Sequence, residues 1–555
     1  MYNNKLTSYG DIGFSKFIRK AFNRQLGFSV EDQNKPIIGI CNTYSEINRC
    51  HSHLKPIVEA IKKGVLMAGG IPLEFPIISL GEINTYPTTM LYRNLAAMDT
   101  EEMINAQPID GVVLIGGCDK MAPALLMGAA SADIPSILIT GGPMNNGEYR
   151  GRTLGACSDC RYFWQEYRAN AIDEQQLMEI NEKLAPTAGH CMVMGSASSI
   201  AVCTETMGLM LPGGASIPAT HNERLQHSIE TGKAIVRLVE EGKKFSDIVT
   251  ENSIRNAITA LMAIGGSTNT IIHLIAIARR LGFSITLKDF DEISQNTPLI
   301  ANIRPAGKYQ MEDFHKAGGV PVLLKELQPY LYLDEQTVTG KTLRENLSQV
   351  SRIKEYEDII RTEEKALSKS GGLAVLYGSL APRGAIVKHS TASIPYHKGR
   401  ALVFENIHDM DKRIDDPDLD VDKDTIMVLK NIGPIGAPGM PEAGYIPIPK
   451  KLLAEGVKDM VRISDGRMSG TAFGTVILHV SPEAAAGGPL NYVLDGDIIE
   501  FDLENRELNL LVSEEEIEKR KREIPVKPQK PERGYQKMFV ENVLQADEGC
   551  DFKFL

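Results

Sequence analysis

The sequence has 555 residues, more than one hydrophobic core usually organises, so two or three domains are expected. Hydrophobic residues make up 43% and charged residues 24%, an ordinary composition that excludes a fibrous or disordered chain. The formal net charge of −11 argues against a nucleic-acid partner, which needs a basic surface. It allows an anionic small-molecule substrate where a metal ion makes one pocket positive.

The N-terminal segment shows no targeting pattern. Its first 20 residues contain no continuous apolar stretch typical of a secretory signal, and Asp11 is atypical of a mitochondrial transit peptide. No later apolar stretch approaches the roughly 20 residues that span a bilayer. We therefore expect a cytoplasmic protein without a membrane partner.

The first two-thirds of the sequence alternates short β-branched stretches with helical patterns. Buried strands are predicted at residues 36–41, 111–116 and 136–140, and a helix at residues 55–68. Such alternation implies right-handed crossovers and a parallel sheet covered by helices on both faces. Residues 1–368 are therefore predicted to form the α/β part of the molecule, an α/β/α arrangement.

The last third has a different pattern, with short strand-like stretches separated by Gly, Pro and Asp. Residues 497–513 read as a hairpin that turns near Glu504–Arg506. We predict a β-rich, barrel-like domain over residues 369–555, with the boundary inside Glu363–Gly372. The acidic stretch Asp415–Asp424 is interpreted as a solvated loop, because it lacks the regular ligand spacing of a calcium site.

Eight cysteines lie at positions 41, 50, 118, 157, 160, 191, 203 and 550. In a large cytosolic chain they do not indicate a disulfide framework, so most are expected to be small buried side chains. Cys50, Cys118 and Cys191 are too far apart for a zinc ribbon or a ferredoxin-type motif. Spacing alone does not select them from the eight.

The segment Gly116–Lys120 places a thiol, a carboxylate and an amine directly after a predicted strand. Ligands of parallel sheets gather at the carboxyl ends of strands, so the segment is a candidate site. A strand-to-helix turn with Asp119 as the N-cap explains the same residues equally well. The segment by itself leaves both interpretations open.

Three other motifs are ambiguous. The motif Cys157–Cys160 is typical of redox or zinc sites, but it has no second CxxC and an amphipathic pattern follows it, which favours a structural role. His51 and His53 are interpreted as satisfied polar or substrate-facing side chains. Gly265–Asn269 precedes an apolar helix and fits either an anion site or an ordinary capped helix start.

Long segments of the sequence resemble the family of dihydroxy-acid dehydratase, phosphogluconate dehydratase and the sugar-acid dehydratases. The resemblance is carried by CDKMAPALLMGAA (118–130) and RISDGRMSGTAFG (462–474). It extends from NTYSEINRCHSHL (42–54) through GGSTNTIIHLIAIA (265–278) to GPIGAPGMPEAG (433–444), in the family's order.

The resemblance implies two inorganic groups. Cys50, Cys118 and Cys191 match the cysteines that hold an iron–sulfur cluster, [2Fe–2S] in sugar-acid dehydratases and [4Fe–4S] in other members, with one iron left open to substrate. The family's magnesium site matches four residues, Glu82, Asp119, Lys120 and Glu442. An ammonium group does not ligate Mg²⁺, so the resemblance implies a carbamylated Lys120.

The implied reaction is a β-elimination of water that leaves a 2-keto-3-deoxy acid. Ser469 matches the general base that removes the C2 proton, and Thr471 is expected to orient the substrate. The resemblance implies that magnesium binds the C1 carboxylate and C2 hydroxyl, while the open iron takes the departing C3 hydroxyl. A non-catalytic iron–sulfur electron carrier, the rival from another class, would not need Ser469.

Several segments are closest in pattern to the sugar-acid branch, namely residues 90–103, 160–170 and 414–444. They favour an aldonate substrate such as arabinonate, xylonate, galactonate or fuconate. The alternative is dihydroxy-acid dehydratase of branched-chain amino-acid biosynthesis. Three residues depart from the family pattern near the expected site and bear on substrate identity: Arg49, Ile435 and Ala437. The resemblance also implies a homodimer or homotetramer.

Overall fold

The computed structural model describes residues 10–555. Residues 1–9, where the N-terminal segment considered above begins, lie outside the described residues. Within the described part, no helix combines the length and the apolar content that crossing a bilayer requires.

A four-stranded parallel sheet forms the N-terminal core, in the order β2-β1-β3-β4. Its strands are β1 (Ile37–Asn42), β2 (Ile71–Pro76), β3 (Gly111–Ile115) and β4 (Ser136–Ile139). The three predicted strands are confirmed as β1, β3 and β4. Strand β2 was missed because its two prolines and Glu74 interrupt the apolar pattern, which an edge strand tolerates.

Helices cover this sheet and extend beyond it, and a short hairpin of β5 (Gly147–Tyr149) and β6 (Arg152–Leu154) lies between them. The helices before residue 350 are α1 (Ile12–Asn23), α2 (Leu54–Met67), α3 (Thr89–Ala106), α4 (Met121–Ala132), α5 (Ser158–Arg168), α6 (Glu174–Leu184), α7 (Ser196–Thr206), α8 (Asn222–Glu240), α9 (Phe245–Ile248), α10 (Glu251–Ala263), α11 (Thr268–Arg280), α12 (Leu287–Asn296), α13 (Met311–Lys316), α14 (Gly319–Glu326) and α15 (Leu343–Leu347). Helix α2 confirms the helix predicted at residues 55–68. It approaches α8 so closely that a Cβ at Gly64 would overlap the carbonyl of Ile229.

The C-terminal third forms an eight-stranded sheet in the order β14-β13-β9-β10-β11-β12-β8-β7. Its strands are β7 (Ala374–Leu376), β8 (Gly384–Val387), β9 (Tyr396–Phe404), β10 (Ile426–Leu429), β11 (Arg462–Ser464), β12 (Val476–Ser481), β13 (Ile498–Asp502) and β14 (Glu507–Leu510). The Tyr377 N–H donates to the Arg506 carbonyl at 2.9 Å, and the Leu508 N–H donates to the Tyr377 carbonyl at 2.8 Å. These bonds join the two edge strands, so the sheet is a nearly closed barrel.

The expected fold class is therefore confirmed: the chain is α/β, with a parallel sheet followed by a barrel-like sheet. The hairpin of residues 497–513 is present as β13 and β14. The Asp415–Asp424 stretch is a solvated loop, and its Asp420 forms an ion pair with Arg400 of β9. The remaining helices are α16 (Ile407–Arg413), α17 (Lys450–Ala454), α18 (Glu514–Glu523) and α19 (Gly534–Asn542).

The end of the chain returns to the N-terminal helices. Arg93 of α3 donates hydrogen bonds of 2.9 Å to the carbonyls of Gly549 and Cys550. Arg280 of α11 forms a 2.6 Å ion pair with Asp551, and both side chains are buried. The C-terminal residues are therefore integral to the packing of α3 and α11.

Candidate active site

The candidate site lies where β1 and β3 end. These strands are neighbours in the sheet although β2 separates them along the chain, so their carboxyl ends form a topological switch point. His51, after β1, joins the two ends: its Nε2 accepts the N–H groups of Gly117 (2.9 Å) and Cys118 (2.8 Å). Burial lowers the pKa of His51 to about 3, so the ring is neutral. His51 is thus a satisfied polar side chain that positions the turn carrying Cys118.

The three cysteines implied by the resemblance lie in one group, in which Cys118 is buried and Cys50 and Cys191 are half-buried. Hydrogen bonding to the Cys50 thiol, together with burial, raises the pKa of Cys118 well above its ordinary value. Contact with the Cys157 thiol, burial and the charges of Cys157 and Cys50 do the same for the pKa of Cys191. Three distant loops therefore bring these thiols together, whereas Cys41 is buried in the hydrophobic core of the parallel sheet.

The four residues of the expected magnesium site also meet. The Lys120 Nζ lies 3.0 Å from a Glu442 carboxylate oxygen, 3.6 Å from one of Glu82, and in direct contact with Asp119. Although burial opposes it, the charges of Asp119 and Glu442 raise the pKa of Lys120. Burial works against Glu442 too, yet the charges of Lys120 and Arg467 lower its pKa to about 2. Burial raises the pKa of Asp119, which shares this pocket with two other carboxylates.

Asp119 does not act as a helix cap, because α4 begins after Lys120 and the Asp119 carboxylate contacts Lys120 and the Cys118 thiol. The capping interpretation of this segment is therefore wrong.

Polar residues to which the sequence assigned no individual role hold the carboxylates. Thr88 donates to Glu82 at 2.6 Å, and Arg467 lies 3.0 Å from Glu442. The Asn269 amide donates to Glu442 at 3.2 Å and to the Met468 carbonyl at 3.1 Å. Arg467 and Asn269 lie inside segments that resemble the family, so the resemblance is the sequence signal that could have identified them.

The Gly265–Asn269 segment is a capped helix start. Ser267 accepts the N–H of Asn269 at 3.2 Å at the beginning of α11. The capped-start interpretation accounts for this segment, and its contribution to the site is the Asn269 side chain.

Ser469 and Thr471 lie on a loop tied to both parts of the molecule. Their hydroxyl oxygens are 2.8 Å apart. Ser158 of α5 donates to the Thr471 carbonyl at 2.9 Å, and the buried Lys388 donates to the Gly470 carbonyl at 2.9 Å. Since Asn269 links Glu442 to the carbonyl of Met468, the residue before Ser469, this loop borders the carboxylates.

The donor set fits the two implied inorganic groups. Soft thiols suit iron and hard carboxylates suit magnesium, and the two sets adjoin where Cys118 Sγ lies 3.4 Å from a carboxylate oxygen of Asp119. The pocket formed by three carboxylates already holds the positive charge of the Lys120 ammonium. Carbamylation would replace that charge with an anionic oxygen donor, leaving a pocket suited to a divalent cation.

Comparisons with known proteins identify the family of the chain. A family model described as the N-terminal region of dihydroxy-acid/6-phosphogluconate dehydratases matches residues 35–346, and its C-terminal counterpart matches residues 358–550. The chain belongs to this dehydratase family. The chain is therefore a hydro-lyase, and the resemblance identified from its sequence is confirmed.

Individual relatives cover nearly the whole chain. The chain is 47% identical over 525 residues to L-arabinonate dehydratase of Rhizobium leguminosarum bv. trifolii, covering 94% of this chain and 90% of the relative. It is 44% identical over 538 residues to 6-deoxy-6-sulfo-D-gluconate dehydratase of Pseudomonas putida, covering 96% and 93%. Identity to dihydroxy-acid dehydratase of Halothermothrix orenii is 39% over 552 residues, covering 97% and 98%.

Proposed function

We propose that this dehydratase converts an aldonate to its 2-keto-3-deoxy acid by β-elimination of water, with an iron–sulfur cluster and Mg²⁺. The observation that carries the proposal is the meeting of three cysteine thiols and three carboxylates next to the loop that carries Ser469. Relatives named for sugar acids are 47% and 44% identical, against 39% for the dihydroxy-acid dehydratase, which supports the aldonate choice.

In this proposal, Cys50, Cys118 and Cys191 hold the cluster. The magnesium ligands are Glu82, Asp119, carbamylated Lys120 and Glu442. The donor chemistry suits a [2Fe–2S] or a [4Fe–4S] cluster with one open iron. When bound, both groups supply Lewis acidity to the carboxylate and hydroxyl oxygens of the substrate.

The residues of the chain carry out the proton transfer and the positioning. The Ser469 Oγ, as an alkoxide stabilised by adjacent cations, removes the C2 proton, and Thr471, 2.8 Å from it, orients the substrate. The electron pair of the C2–H bond forms the C2=C3 double bond while the C3–O bond breaks. The departing hydroxide takes up the proton that Ser469 removed and leaves as water, which restores the alkoxide, and the enol tautomerises to the keto acid. Lys388 holds the Ser469 loop through the Gly470 carbonyl.

The test is a side-by-side assay of L-arabinonate and 2,3-dihydroxyisovalerate with anaerobically purified enzyme, following 2-keto acid formation. We expect activity on the aldonate. Ser469→Ala should lose on the order of 10²–10⁴-fold in kcat, the usual contribution of a general base, with iron, sulfide and magnesium contents unchanged. Ser513→Ala, at the exposed start of α18, is the matched control and should keep full activity.

Two outcomes contradict parts of the proposal. Activity confined to the branched acid would establish the dihydroxy-acid alternative. Full dehydration activity of Ser469→Ala, with both inorganic groups retained, would show that Ser469 is not the general base.

We also propose where the enzyme acts and how it assembles, from the sequence and the family resemblance. We place it in the cytoplasm as a homodimer or homotetramer acting on a small polyhydroxy acid. Light scattering on the purified protein measures the subunit number, and a monomeric mass would contradict it.

A further inference from the structure

Cys157 lies at the candidate cluster site, although the family resemblance did not select it. Its Sγ is 3.1 Å from the Sγ of Cys191, which is 34 residues away in the sequence. Cys160, the other cysteine of the CxxC motif, is exposed. The two cysteines of this motif therefore have different surroundings, and only Cys157 lies against a proposed cluster ligand.

The backbone at Cys157 is held in an uncommon conformation. Its φ is +73°, in a region that residues with side chains seldom adopt. The segment is fixed on both sides: the Gly155 N–H donates to Asp159 at 2.6 Å, and Ser158 donates to the Thr471 carbonyl at 2.9 Å. Strained residues fixed by their surroundings are frequent at functional sites. The strain here positions a thiol beside Cys191.

Cys157 also faces the remainder of the site. The carboxylates of Glu442 and Asp119 are near enough to act electrostatically on its thiol, as is the guanidinium of Arg161. Ser158, the next residue, is bonded to the loop that carries Ser469. Cys157 therefore contacts the cysteine group directly and adjoins, through Ser158, the loop of the proposed base.

We propose that Cys157 is a fourth sulfur ligand of the cluster site, which occupies the open iron in the resting enzyme and is displaced by a substrate hydroxyl. The inference rests on the proposed function, since it requires the cluster. Two sulfurs bound to one tetrahedral metal at about 2.3 Å lie about 3.7 Å apart, so the Cys157–Cys191 pair needs to open by only about 0.6 Å.

The exchange is balanced without an oxidant or a reductant. When the Cys157 thiol binds iron it releases one proton to solvent, and the thiolate takes up one proton when the hydroxyl displaces it. No electron is transferred. In the resting enzyme, four sulfur ligands leave no iron position open to dioxygen, so Cys157 should prolong the lifetime of the cluster in air.

The test compares ⁵⁷Fe-loaded full-length enzymes by Mössbauer spectroscopy, without substrate and with L-arabinonate. The wild type should show only sulfur-coordinated iron at rest, and one iron site should gain an oxygen ligand when L-arabinonate is added. Cys157→Ser should show the oxygen-ligated signal before substrate and lose its cluster several-fold faster in air. Cys160→Ser, the matched control from the same motif, should behave as wild type.

The outcomes distinguish the inference from the proposed function. Identical resting spectra of wild type and Cys157→Ser would overturn the inference and leave the dehydratase proposal intact. X-ray absorption spectroscopy of the wild-type enzyme is a second test, which does not depend on whether the variant folds. An oxygen ligand on iron before substrate is added would also overturn the inference. Wild-type enzyme that binds neither iron nor sulfide would overturn both.

Discussion

Lys388 is a buried lysine at the base of the loop that carries Ser469. It donates to the Gly470 carbonyl, and burial lowers its pKa to about 7, against about 10.4 for an exposed lysine. Between these two pH values the unfolded chain binds a proton that the native protein does not bind. The free energy of unfolding should therefore rise with pH over this range.

The variant Lys388→Met should remove this dependence. Urea unfolding at pH 7 and pH 9 measures this dependence. The unfolding free energy of the wild type relative to that of the variant should increase by about 2–3 kcal/mol between these pH values. Lys458→Met, at an exposed position, should leave the pH dependence of the wild type intact. Equal slopes for wild type and Lys388→Met would show that Lys388 is charged in the native protein at pH 7.

Individual site residues were predictable only in part. The composition of Gly116–Lys120 marked a candidate site, but Cys50 and Cys191 were selected by resemblance alone. The thiol contact between Cys157 and Cys191 depends on a backbone conformation that no spacing rule encodes. The bond from Asn269 to Glu442 joins residues 173 positions apart, so it follows from the packing of helix α11 against the loop after β10.

At the scale of the structural elements, hydrogen bonds to the Glu483 side chain hold the loop between β10 and Glu442 in place. This buried carboxyl accepts the N–H of Ile435 at 3.0 Å and of Gly436 at 2.9 Å. Burial raises the pKa of Glu483 to about 8, so the side chain is neutral at pH 7. The loop that presents Glu442 thus depends on a protonated acid outside the proposed magnesium site.

Removing this fastening should weaken the proposed magnesium site. Glu483→Ala leaves buried N–H groups unpartnered, which costs about 1–3 kcal/mol in unfolding free energy, and it should raise the Mg²⁺ concentration needed for half-maximal activity. Glu483→Gln is also neutral and keeps an acceptor, so it should restore most of both properties. Unchanged magnesium dependence in Glu483→Ala would show that the loop is held by other contacts.

The predictability of the strands follows from their burial. The strands β1, β3 and β4 are buried along their whole length, so each reads as a continuous apolar stretch. The spacing of the short strands predicted a barrel-like sheet, but it did not predict which residues close it, because Tyr377 joins β14 through main-chain bonds that leave no side-chain pattern.

At the scale of the whole molecule, the fold class was readable because strand–helix alternation changes to short strands near residue 368. The division into residues 1–368 and 369–555 stays a prediction. The site itself combines Cys118 and Asp119 from the first part with Glu442 and Ser469 from the second.

The buried ion pair of Arg280 and Asp551 should be important for stability. Asp551→Asn removes the buried partner of Arg280 and leaves only the half-buried Glu101, 3.2 Å away, to compensate its charge, so it should lower the free energy of unfolding by up to about 3–5 kcal/mol. Asp334→Asn breaks the exposed pair with Arg344 and should leave the free energy of unfolding nearly unchanged. Denaturant unfolding measures both, and equal losses would show that burial of the pair is unimportant.

The attachment of the last residues to α3 and α11 has a consequence for synthesis. Both helices begin at the site, α3 after Thr88 and α11 with Asn269 near its start, and both are held by residues 549–551. Residues 549–551 are synthesised after every residue of the candidate site, so a nascent chain carries its cysteines and carboxylates before it can hold them in place. A truncation before residue 549 would therefore disable site residues that were synthesised much earlier.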